Sequence, residues 1–485
     1  MVNTTHSGAA ATTSSSRRRA PARRGLWLLA SAAVLHVALA FGLHWMGRAQ
    51  VAPGLVDRDG IMGSFAFDSY EYQRGAVRLT EVLKQDGAAA WAAEPQPVHV
   101  RLISLPFALF GSLTGYGPLS AEPFNLLCYL AVVGLALLLG REVGGDRAGL
   151  LAAGAVALWP TLLLHTLQLL KDPLFIAGAV ALVLCVTTWL TREYGRAGAA
   201  AATVFMGVVI LLLLLIRLHF AAVIFALVLT GAALLVVRQL AERRLLYWNM
   251  APPALITSGA LLLILALLFF KPPPVQKFKQ HPSDGEGPPK AVVSAGERMP
   301  SAVTYLPRAA ADAGRVEKLM ASADRAARRV GSIRYRFSAF YAEAGSGVDG
   351  GVRFNDLKSL VLYLPRAFVI GWWAPFPNTW MGAGKRVGSA GKLLSGVETL
   401  VMYAVELLAL AAVLLPPRRL AAGLLLGVCG FGVTALGLVV PNIGALYRFR
   451  YSFWVLLIVL GAKGLESLLA ARARRPHAGG AGQSA

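Results

Sequence analysis

Residues 198–238 read GAAAATVFMGVVILLLLLIRLHFAAVIFALVLTGAALLVVR. They contain two apolar runs, 198–216 and 219–237, and the ionisable side chains before position 238 are Arg217 and His219. Each run is close to the ~20 residues that an α-helix needs to cross the hydrocarbon core of a bilayer. The stretch therefore predicts two transmembrane helices joined by a tight turn.

The composition of the whole chain agrees with this interpretation. Of its 485 residues, 56% are hydrophobic and 15% are charged, and the mean hydropathy is +0.58. A water-soluble domain has about 25% charged residues. We therefore expect an all-α polytopic integral membrane protein. The composition excludes a soluble globular, a disordered and a fibrous chain.

Apolar segments of this length recur along the sequence, and they predict ten spans: 25–46, 122–140, 148–164, 173–190, 198–216, 219–237, 251–270, 397–415, 420–440 and 451–470. If the N-terminus is cytoplasmic, every short loop on that side is basic, as the positive-inside rule requires. The arginines concerned are Arg141, Arg147, Arg192, Arg196, Arg238, Arg243, Arg244, Arg418, Arg419, Arg472, Arg474 and Arg475. Both termini are then expected in the cytoplasm.

The spans divide the chain into five parts. We expect a disordered basic tail (1–24), an N-terminal membrane module (25–270) with a first outer loop (47–121), a second outer loop (271–396), C-terminal transmembrane helices (397–470) and a basic tail (471–485). The second loop opens with a polar, Gly/Pro-rich stretch that cannot fold alone.

Two segments of the second loop are expected to be helical. Apolar residues recur at helical spacing from Val316 to Phe337 with arginines between them, which predicts a basic amphipathic helix. It is either a platform that attracts anionic lipid phosphates or an ordinary solvated helix face. Residues 356–376 contain Pro365 and Arg366, and a span there would move the later basic loops outside. We therefore predict an interfacial or re-entrant helix.

Charge and cysteine content narrow the function. The 47 Lys and Arg residues against 25 Asp and Glu give a net charge of +22. Because much of the excess lies between spans and no nucleic-acid motif accompanies it, no nucleic-acid partner is expected. Cys128, Cys185 and Cys429 all lie in apolar runs, which predicts small core residues. Phosphate-binding, dinucleotide-binding, zinc-protease and serine-hydrolase motifs are absent from the sequence.

Polar residues instead gather near the predicted outer ends of the spans. Asp68, with Glu71 three residues on, is either a general base or hard-cation ligand, or the N-cap of a short amphipathic helix over 73–84. The Lys171-Asp172 pair follows His165 and is either a phosphate and reaction site or a helix start at Pro173. Further candidates in the outer loops are Arg101, Arg217, His219, Arg448 and Arg450.

Three sets of ionisable residues are interpreted differently. Arginines on the outer side oppose the positive-inside bias, and their guanidinium groups suit phosphate recognition. The turn pair Arg217 and His219 could equally extend to the lipid headgroups. His36 and Glu406 lie inside spans, where ionisable groups are functional candidates, although a hydrogen bond between helices is the plainer explanation for His36.

Three quoted stretches carry a family resemblance: FDSYEYQRGAVRL (67–79), HVRLISLPFALFG (99–111) and GREVGGDRAGLLAA (140–153). With the spans around them, over about 25–190, they resemble the GT-C membrane glycosyltransferases. The protein O-mannosyltransferase and aminoarabinose transferase group, glycosyltransferase family 39, is the nearest in pattern. The resemblance implies a GT-C-like fold in a bacterial inner membrane.

The resemblance also implies an activity. Such enzymes move a sugar from a polyprenyl-phosphate carrier to a glycan, lipid or protein acceptor at the outer face, in cell-surface polysaccharide or glycolipid assembly. The family's essential acid would correspond to Asp68, as base or as ligand of Mg²⁺ or Mn²⁺. Its second acid would be Asp172, beside Lys171. The expected substrate-binding residues are Glu71, Arg101, His165, Lys171, Arg217, His219, Arg448 and Arg450.

Two alternatives remain open. Tyr447, Arg448, Arg450 and Tyr451, with the late outer loop, also resemble bacterial polysaccharide polymerases and ligases, which act on polyprenyl-diphosphate glycans without a metal. In that case the arginine pair, rather than Asp68, would determine the rate. A lipid-glycan transporter would bind the same substrates and cleave none.

Overall fold

The computed structural model describes residues 9–63, 65–269, 314–340, 345–381 and 388–473. Within these ranges the chain is helical, and the bounds of the α-helices are α1 (Ala9–Arg48), α2 (Asp68–Gln85), α3 (Gly87–Ala93), α4 (Val98–Thr114), α5 (Glu122–Gly144), α6 (Asp146–Ala157), α7 (Pro160–Thr166), α8 (Asp172–Thr191), α9 (Arg196–Ile216), α10 (Ala221–Glu242), α11 (Tyr247–Phe269), α12 (Arg315–Phe340), α13 (Leu357–Trp373), α14 (Gly388–Leu414), α15 (Arg419–Val439), α16 (Ile443–Phe449) and α17 (Tyr451–Ala473). Short 3₁₀ helices lie at Leu218–Phe220 and Pro377–Thr379.

Eight helices of the described chain are long and apolar enough to cross a membrane: α1 from Arg23 onward, α5, α8, α9, α10, α14, α15 and α17. The pair α6 and α7, bent by 66°, adds a ninth if it is one broken span. The remaining predicted span, 251–270, overlaps α11, which the structure describes to Phe269. The protein is therefore a multi-pass helical membrane protein, and the count of ten spans stays a prediction.

The bend between α6 and α7 follows from Pro160. A proline disfavours the helical conformation of the residue before it, and Trp159 is extended, with ψ of 111°. Proline also lacks an N–H and is well suited to the first position of a new helix. The break turns α7 toward the end of the bundle that carries Asp68 and Asp172.

Helix α17 lies at the centre of the bundle. Every residue from Tyr451 to Gly464 is buried, as expected for a helix that is apolar on all sides. Gly464 lies directly against the backbone of Leu408 in α14, and a Cβ there would collide with the Leu408 carbonyl. A small residue is therefore needed where these two helices meet.

The loops predicted to be cytoplasmic meet at one end of the bundle. Arg192 Nε donates to Glu142 at 2.9 Å, and Arg418 donates to the Arg141 carbonyl at 3.1 Å. Arg244 pairs with Glu193 at 3.1 Å. The starts of α5, α8 and α17 lie at the other end, together with the end of α15. We call this other end the site end.

The first loop is a folded unit at the site end. Its helices α2 and α4 share a small core that includes Tyr72, Leu79, Ile103 and Phe107. The predicted helix over 73–84 is confirmed as α2. Helix α4 was not predicted: it is as apolar as a span, but its 17 residues are fewer than the ~20 that a span needs. This unit forms one wall of the cavity described below.

One of the alternatives offered for Asp68, the helix N-cap, is wrong. Asp68 is the first residue of α2 rather than its N-cap, which is Phe67 without a side-chain cap, so Asp68 is not part of a capping box. The structure describes α1 from Ala9, and the disordered basic tail over 1–24 stays a prediction. Alanine and arginine favour helix, and extension of an existing helix needs no new nucleation. The predicted Gly/Pro-rich stretch up to residue 300 and most of the C-terminal tail lie outside the described residues.

The second loop contains both predicted helices. α12 covers the amphipathic segment and packs on α13 and α15 through Ala327, Val330 and Arg334, leaving Arg325 and Arg329 exposed. α13 has 17 residues and is not among the candidate spans. The prediction of an interfacial or re-entrant helix stays a prediction, as does the role of α12 at lipid.

Candidate functional site

A cavity of about 1230 Å³ opens at the site end. Its walls come from the first loop, from α7, from α16, from residues 345–349 and from the connection between α13 and α14. The charged residues among its lining are Asp68, Glu71, Arg74, Asp349, Arg366, Lys392 and Arg448. Phe65, Phe67, Leu164 and Trp380 add apolar surface, so the cavity is suited to an amphipathic molecule.

Its central feature is the ion pair between Asp68 and Arg448. Asp68 Oδ2 lies 2.8 Å from Arg448 Nη2, and the two side chains are 34% and 15% exposed. Asp68 is the first residue of α2, and Arg448 lies in α16, the short helix that precedes α17. The pair therefore joins the first loop to the connection between α15 and α17, at the surface of the cavity.

A second ion pair lies behind the first. Asp172 Oδ1 pairs with Arg217 Nη2, and both side chains are almost fully buried. Asp172 Oδ2 lies 3.6 Å from Arg448 Nε, which is an electrostatic contact but too long for a hydrogen bond. The Arg217 guanidinium also lies over the rings of Phe175 and Phe449, at 4.6 Å and 5.0 Å from their centroids. Asp172 therefore supports Arg448 from behind, while Arg217 neutralises Asp172.

Lys171 lies beside these two ion pairs. Its Nζ lies 5.8 Å from the centroid of the Tyr72 ring. Burial and the nearby Arg217 lower the pKa of Lys171, whereas burial and the Asp68 carboxylate raise the pKa of Tyr72. Lys171 is not among the residues that line the cavity in the described structure.

His165 lines the same cavity from α7. Its Nδ1 lies 2.7 Å from the Thr161 carbonyl oxygen and 3.1 Å from the Tyr451 hydroxyl. The imidazole ring packs against Phe65 and Tyr451, with ring centroids 4.1 Å and 4.9 Å away. The ring is therefore fixed in position at the cavity wall.

A buried carboxylate, Glu398 of α14, holds the start of α7 and the middle of α16. Glu398 accepts from the Thr161 backbone N–H at 2.7 Å and from the Thr161 hydroxyl at 2.6 Å. The Tyr447 hydroxyl donates to Glu398 Oε2, the oxygen that also accepts from the Thr161 hydroxyl. Burial and the Glu398 charge raise the pKa of Tyr447, which keeps that hydroxyl protonated as a donor. Glu398 was missed by the sequence analysis, although an ionisable residue in an apolar span is a signal that could have found it.

A third ion pair forms the far wall of the cavity. Arg366 Nε donates to Asp349 Oδ2 at 3.0 Å, and the Tyr363 hydroxyl donates to the same oxygen at 3.0 Å. Burial acts to raise the pKa of Asp349, but these hydrogen bonds outweigh it and the net shift is downward. The segment that carries Asp349 is fixed by a β-bridge between Gly347 and Asn442. This wall was also missed, because its residues come from separate parts of the second loop.

The predicted site residues lie in different places relative to the cavity. Asp68, Glu71, His165 and Arg448 line the cavity. Asp172, Lys171 and Arg217 lie behind it, as described above. Arg101 and Arg450 lie elsewhere, and the side chain of His219 is outside the described part of the chain.

Arg101 and Arg450 have structural partners. Arg101 donates to the Glu94 carbonyl and lies 5.9 Å from the Trp91 ring centroid. Arg450 is 1% exposed, and it donates to the carbonyls of Gly371, at 2.7 Å, and of Ala374. The outer arginine pair of the sequence therefore separates: Arg448 faces the cavity and Arg450 holds the C-terminal end of α13.

The two intramembrane residues also lie away from the cavity. His36 Nδ1 lies 2.7 Å from Glu122 Oε1, and its Nε2 lies 3.1 Å from the Thr166 hydroxyl. The hydrogen bond between helices that the sequence analysis favoured for His36 is thus present. Glu406 lies in α14, two turns beyond Glu398 and on the side of Arg450.

The described residues do not suit a metal ion. Among them, no group of three or more His, Cys, Asp or Glu side chains is close enough to hold a cation. The Asp68 carboxylate is already paired with a guanidinium, which competes with a dication for the same oxygens. We therefore derive no step through Mg²⁺ or Mn²⁺.

The comparisons with known proteins add no family. No family model, curated protein or solved structure matches the chain. Fold and site together define a multi-pass helical membrane protein with an arginine–carboxylate cavity at one end of its bundle.

Proposed function

We propose that this protein is a GT-C-type membrane glycosyltransferase. It moves a sugar from a polyprenyl-phosphate-linked donor to a glycan, lipid or protein acceptor, in cell-surface polysaccharide or glycolipid assembly. The observation that carries this proposal is the Asp68–Arg448 pair at the wall of a large amphipathic cavity. Such a cavity offers a cation for a phosphate, a carboxylate for a hydroxyl group, and apolar surface for a lipid chain.

The proposed location is the outer face of a bacterial inner membrane, with both termini in the cytoplasm. One observation supports this orientation. The basic short loops meet at the end of the bundle opposite the cavity, where Arg192 and Arg418 are engaged. Loops rich in lysine and arginine stay in the cytoplasm. The cavity then opens at the outer face.

In the proposed reaction Arg448 binds the phosphate of the donor. A guanidinium has several N–H groups in a plane, so Arg448 can keep its contact with Asp68 and still donate to a phosphate oxygen. In a poorly hydrated cavity such charge-assisted hydrogen bonds are strong. Asp172, held by Arg217, keeps Arg448 in place from behind. Asp68 deprotonates or orients the acceptor hydroxyl.

A polymerase or ligase that acts on polyprenyl-diphosphate glycans is the second candidate. One observation favours it: Arg74 and Lys392 line the same cavity as Arg448, so the cavity has cations for a second phosphate. A cavity of about 1230 Å³ also exceeds the ~300–1,000 Å³ of usual small-molecule pockets. The lipid species that accumulates when the protein is absent distinguishes the two candidates.

The test is mass spectrometry of membrane lipids from cells that lack the protein, complemented with wild type, Asp68→Asn or Asp86→Asn. Asp86 is an exposed residue at the end of α2 and serves as the matched control. We expect a polyprenyl-phosphate monosaccharide to accumulate, and wild type and D86N to remove it. D68N should not, because loss of the positioned carboxylate lowers transfer about 100-fold or more.

Each other outcome contradicts part of the proposal. Accumulation of a polyprenyl-diphosphate oligosaccharide would favour the polymerase or ligase. An unchanged lipid profile would refute both transferases and leave a lipid-glycan transporter. Full complementation by D68N would remove Asp68 from the reaction.

A further inference from the structure

His165 has a defined protonation pattern. A carbonyl oxygen can only accept a hydrogen bond, so the 2.7 Å contact with the Thr161 carbonyl requires the proton on Nδ1. The Tyr451 hydroxyl, 3.1 Å from the same nitrogen, is a second acceptor of that proton. A neutral imidazole protonated at Nδ1 carries its lone pair on Nε2. Nε2 is therefore the ring nitrogen that can accept a proton.

The ring is held in this state by a relay of hydrogen bonds. Thr161 accepts from His165 with its carbonyl, and it donates to Glu398 with both its N–H and its hydroxyl. Glu398 thus orients Thr161, and Thr161 orients the imidazole of His165, as in other sites where a histidine base is fixed through its Nδ1–H.

The carboxylates of the site are less suited to take a proton. Asp68 is paired with Arg448 at 2.8 Å, and Asp172 is paired with Arg217. In each pair a guanidinium group occupies a carboxylate oxygen that an acceptor hydroxyl would have to approach. His165 lines the same cavity, and because its Nδ1 is engaged by the Thr161 carbonyl, Nε2 is the ring nitrogen left for an acceptor hydroxyl.

From these contacts we infer that His165, through Nε2, is the general base of the transfer proposed above, so that Asp68 orients the acceptor hydroxyl rather than deprotonating it. The inference rests on that proposed function. In the step, the acceptor oxygen forms a bond to the anomeric carbon of the sugar, and its proton moves to Nε2. The bond between that carbon and the phosphate oxygen breaks, and the electron pair leaves with the phosphate.

The charges around the imidazole fit this step. Burial and the Arg448 charge of α16 disfavour an imidazolium at position 165, whereas Asp172 of α8 favours one. The donor phosphate that Arg448 holds offsets the Arg448 charge during the step. Tyr451 of α17 and Thr161 of α7 offer neutral oxygens. The proton taken up by His165 offsets the negative charge that develops on the leaving phosphate. It returns to water after the products leave.

The test compares purified wild type, His165→Asn, Asp68→Asn and His44→Asn in lipid nanodiscs. The donor is a synthetic polyprenyl-phosphate hexose, membrane extract of the deletion strain supplies the acceptor, and the readout is release of polyprenyl phosphate as a function of pH. In H165N the amide can still donate to the Thr161 carbonyl, but no base remains at the position of Nε2. His44 lies outside the cavity lining and is the matched control.

We expect H165N to lower kcat/KM about 10²–10⁴-fold and to lose the acid limb of the pH–rate profile. Donor binding should change less than about threefold, since the base acts in the transition state. D68N should keep the acid limb, and H44N should match wild type. Glu398→Gln, which leaves the imidazole present but weakens its relay, should give a smaller loss and a shifted limb.

Four results would overturn the inference. The first is H165N within about threefold of wild type, and the second is H165N slow but with its acid limb intact. If H165N does not fold, an unshifted limb in E398Q is the third. The fourth is a wild type that releases no polyprenyl phosphate at any pH: it refutes the proposed function and the base together, whereas the other three leave the transferase standing.

Discussion

The histidine at position 99 gives a sharp test of the first loop, because it is buried without a polar partner. His99 is 3% exposed, and neither ring nitrogen has a hydrogen-bond partner among the described residues. The edge of its ring contacts Tyr72, with centroids 4.5 Å apart. Burial, with the nearby Lys171 charge, lowers the pKa of His99 from 6.5 to about 4.

The pKa of His99 determines how the stability of the loop depends on pH. Because the folded-state pKa lies below the unfolded value, the unfolded chain binds the proton first as the pH falls. The contribution of neutral His99 to the free energy of unfolding is therefore fully present above about pH 6.5, and it declines as the pH falls toward about 4. The full shift corresponds to roughly 3 kcal/mol, and the loss between about pH 7.5 and pH 5 is about 2 kcal/mol.

The measurement is the free energy of unfolding of the purified protein, by titration with a denaturing detergent at these two pH values. His99→Phe keeps the ring contact with Tyr72 and removes the titrating group, so the difference between wild type and H99F isolates His99. Hydrogen exchange of the α2 and α4 amides should show the same difference locally. Equal pH dependence in wild type and H99F would refute the argument that a neutral histidine is buried there.

Two further substitutions test the site and its surroundings. Arg448→Lys keeps the charge but loses the planar set of donors, so we expect kcat/KM for donor cleavage to fall about 10- to 100-fold; a change within about twofold would remove phosphate binding from this residue. Arg334→Met removes donors to the Leu438 carbonyl, at 2.9 Å, and to the Asp349 carbonyl, at 3.0 Å. Since buried acceptors are left unpaired, it should destabilise the protein by about 2–4 kcal/mol and expose α12 to limited proteolysis. An unchanged proteolysis pattern would contradict that role.

Much of the fold follows from hydropathy alone. Every predicted apolar segment is a helix or a pair of helices in the structure, since a run of ~20 apolar residues in a bilayer can satisfy its backbone hydrogen bonds only within itself. The kink at Pro160 has an equally local cause. The length of α4, the extension of α1 to Ala9 and the number of spans were less predictable, because they depend on marginal hydropathy and on packing.

The site was only partly predictable. Asp68 and Arg448 were candidates by residue type and by their place at the ends of spans, and both line the cavity. Arg450, chosen for the same reasons two residues later, is buried under α13 instead. Which of two neighbouring arginines faces a cavity depends on the rotation of the short helix α16, which sequence patterns do not specify.

The sequence by itself determined the class of the protein: a helical multi-pass membrane chain with polar groups at one side. Tertiary structure alone decided which of those groups work together. Glu398, Thr161 and His165 come from distant or apolar segments, and they form one relay because α14 packs beside the broken helix α7. Apolar periodicity encodes where helices form and which faces are buried, whereas the pairing of single polar side chains depends on helix rotation and close packing in three dimensions.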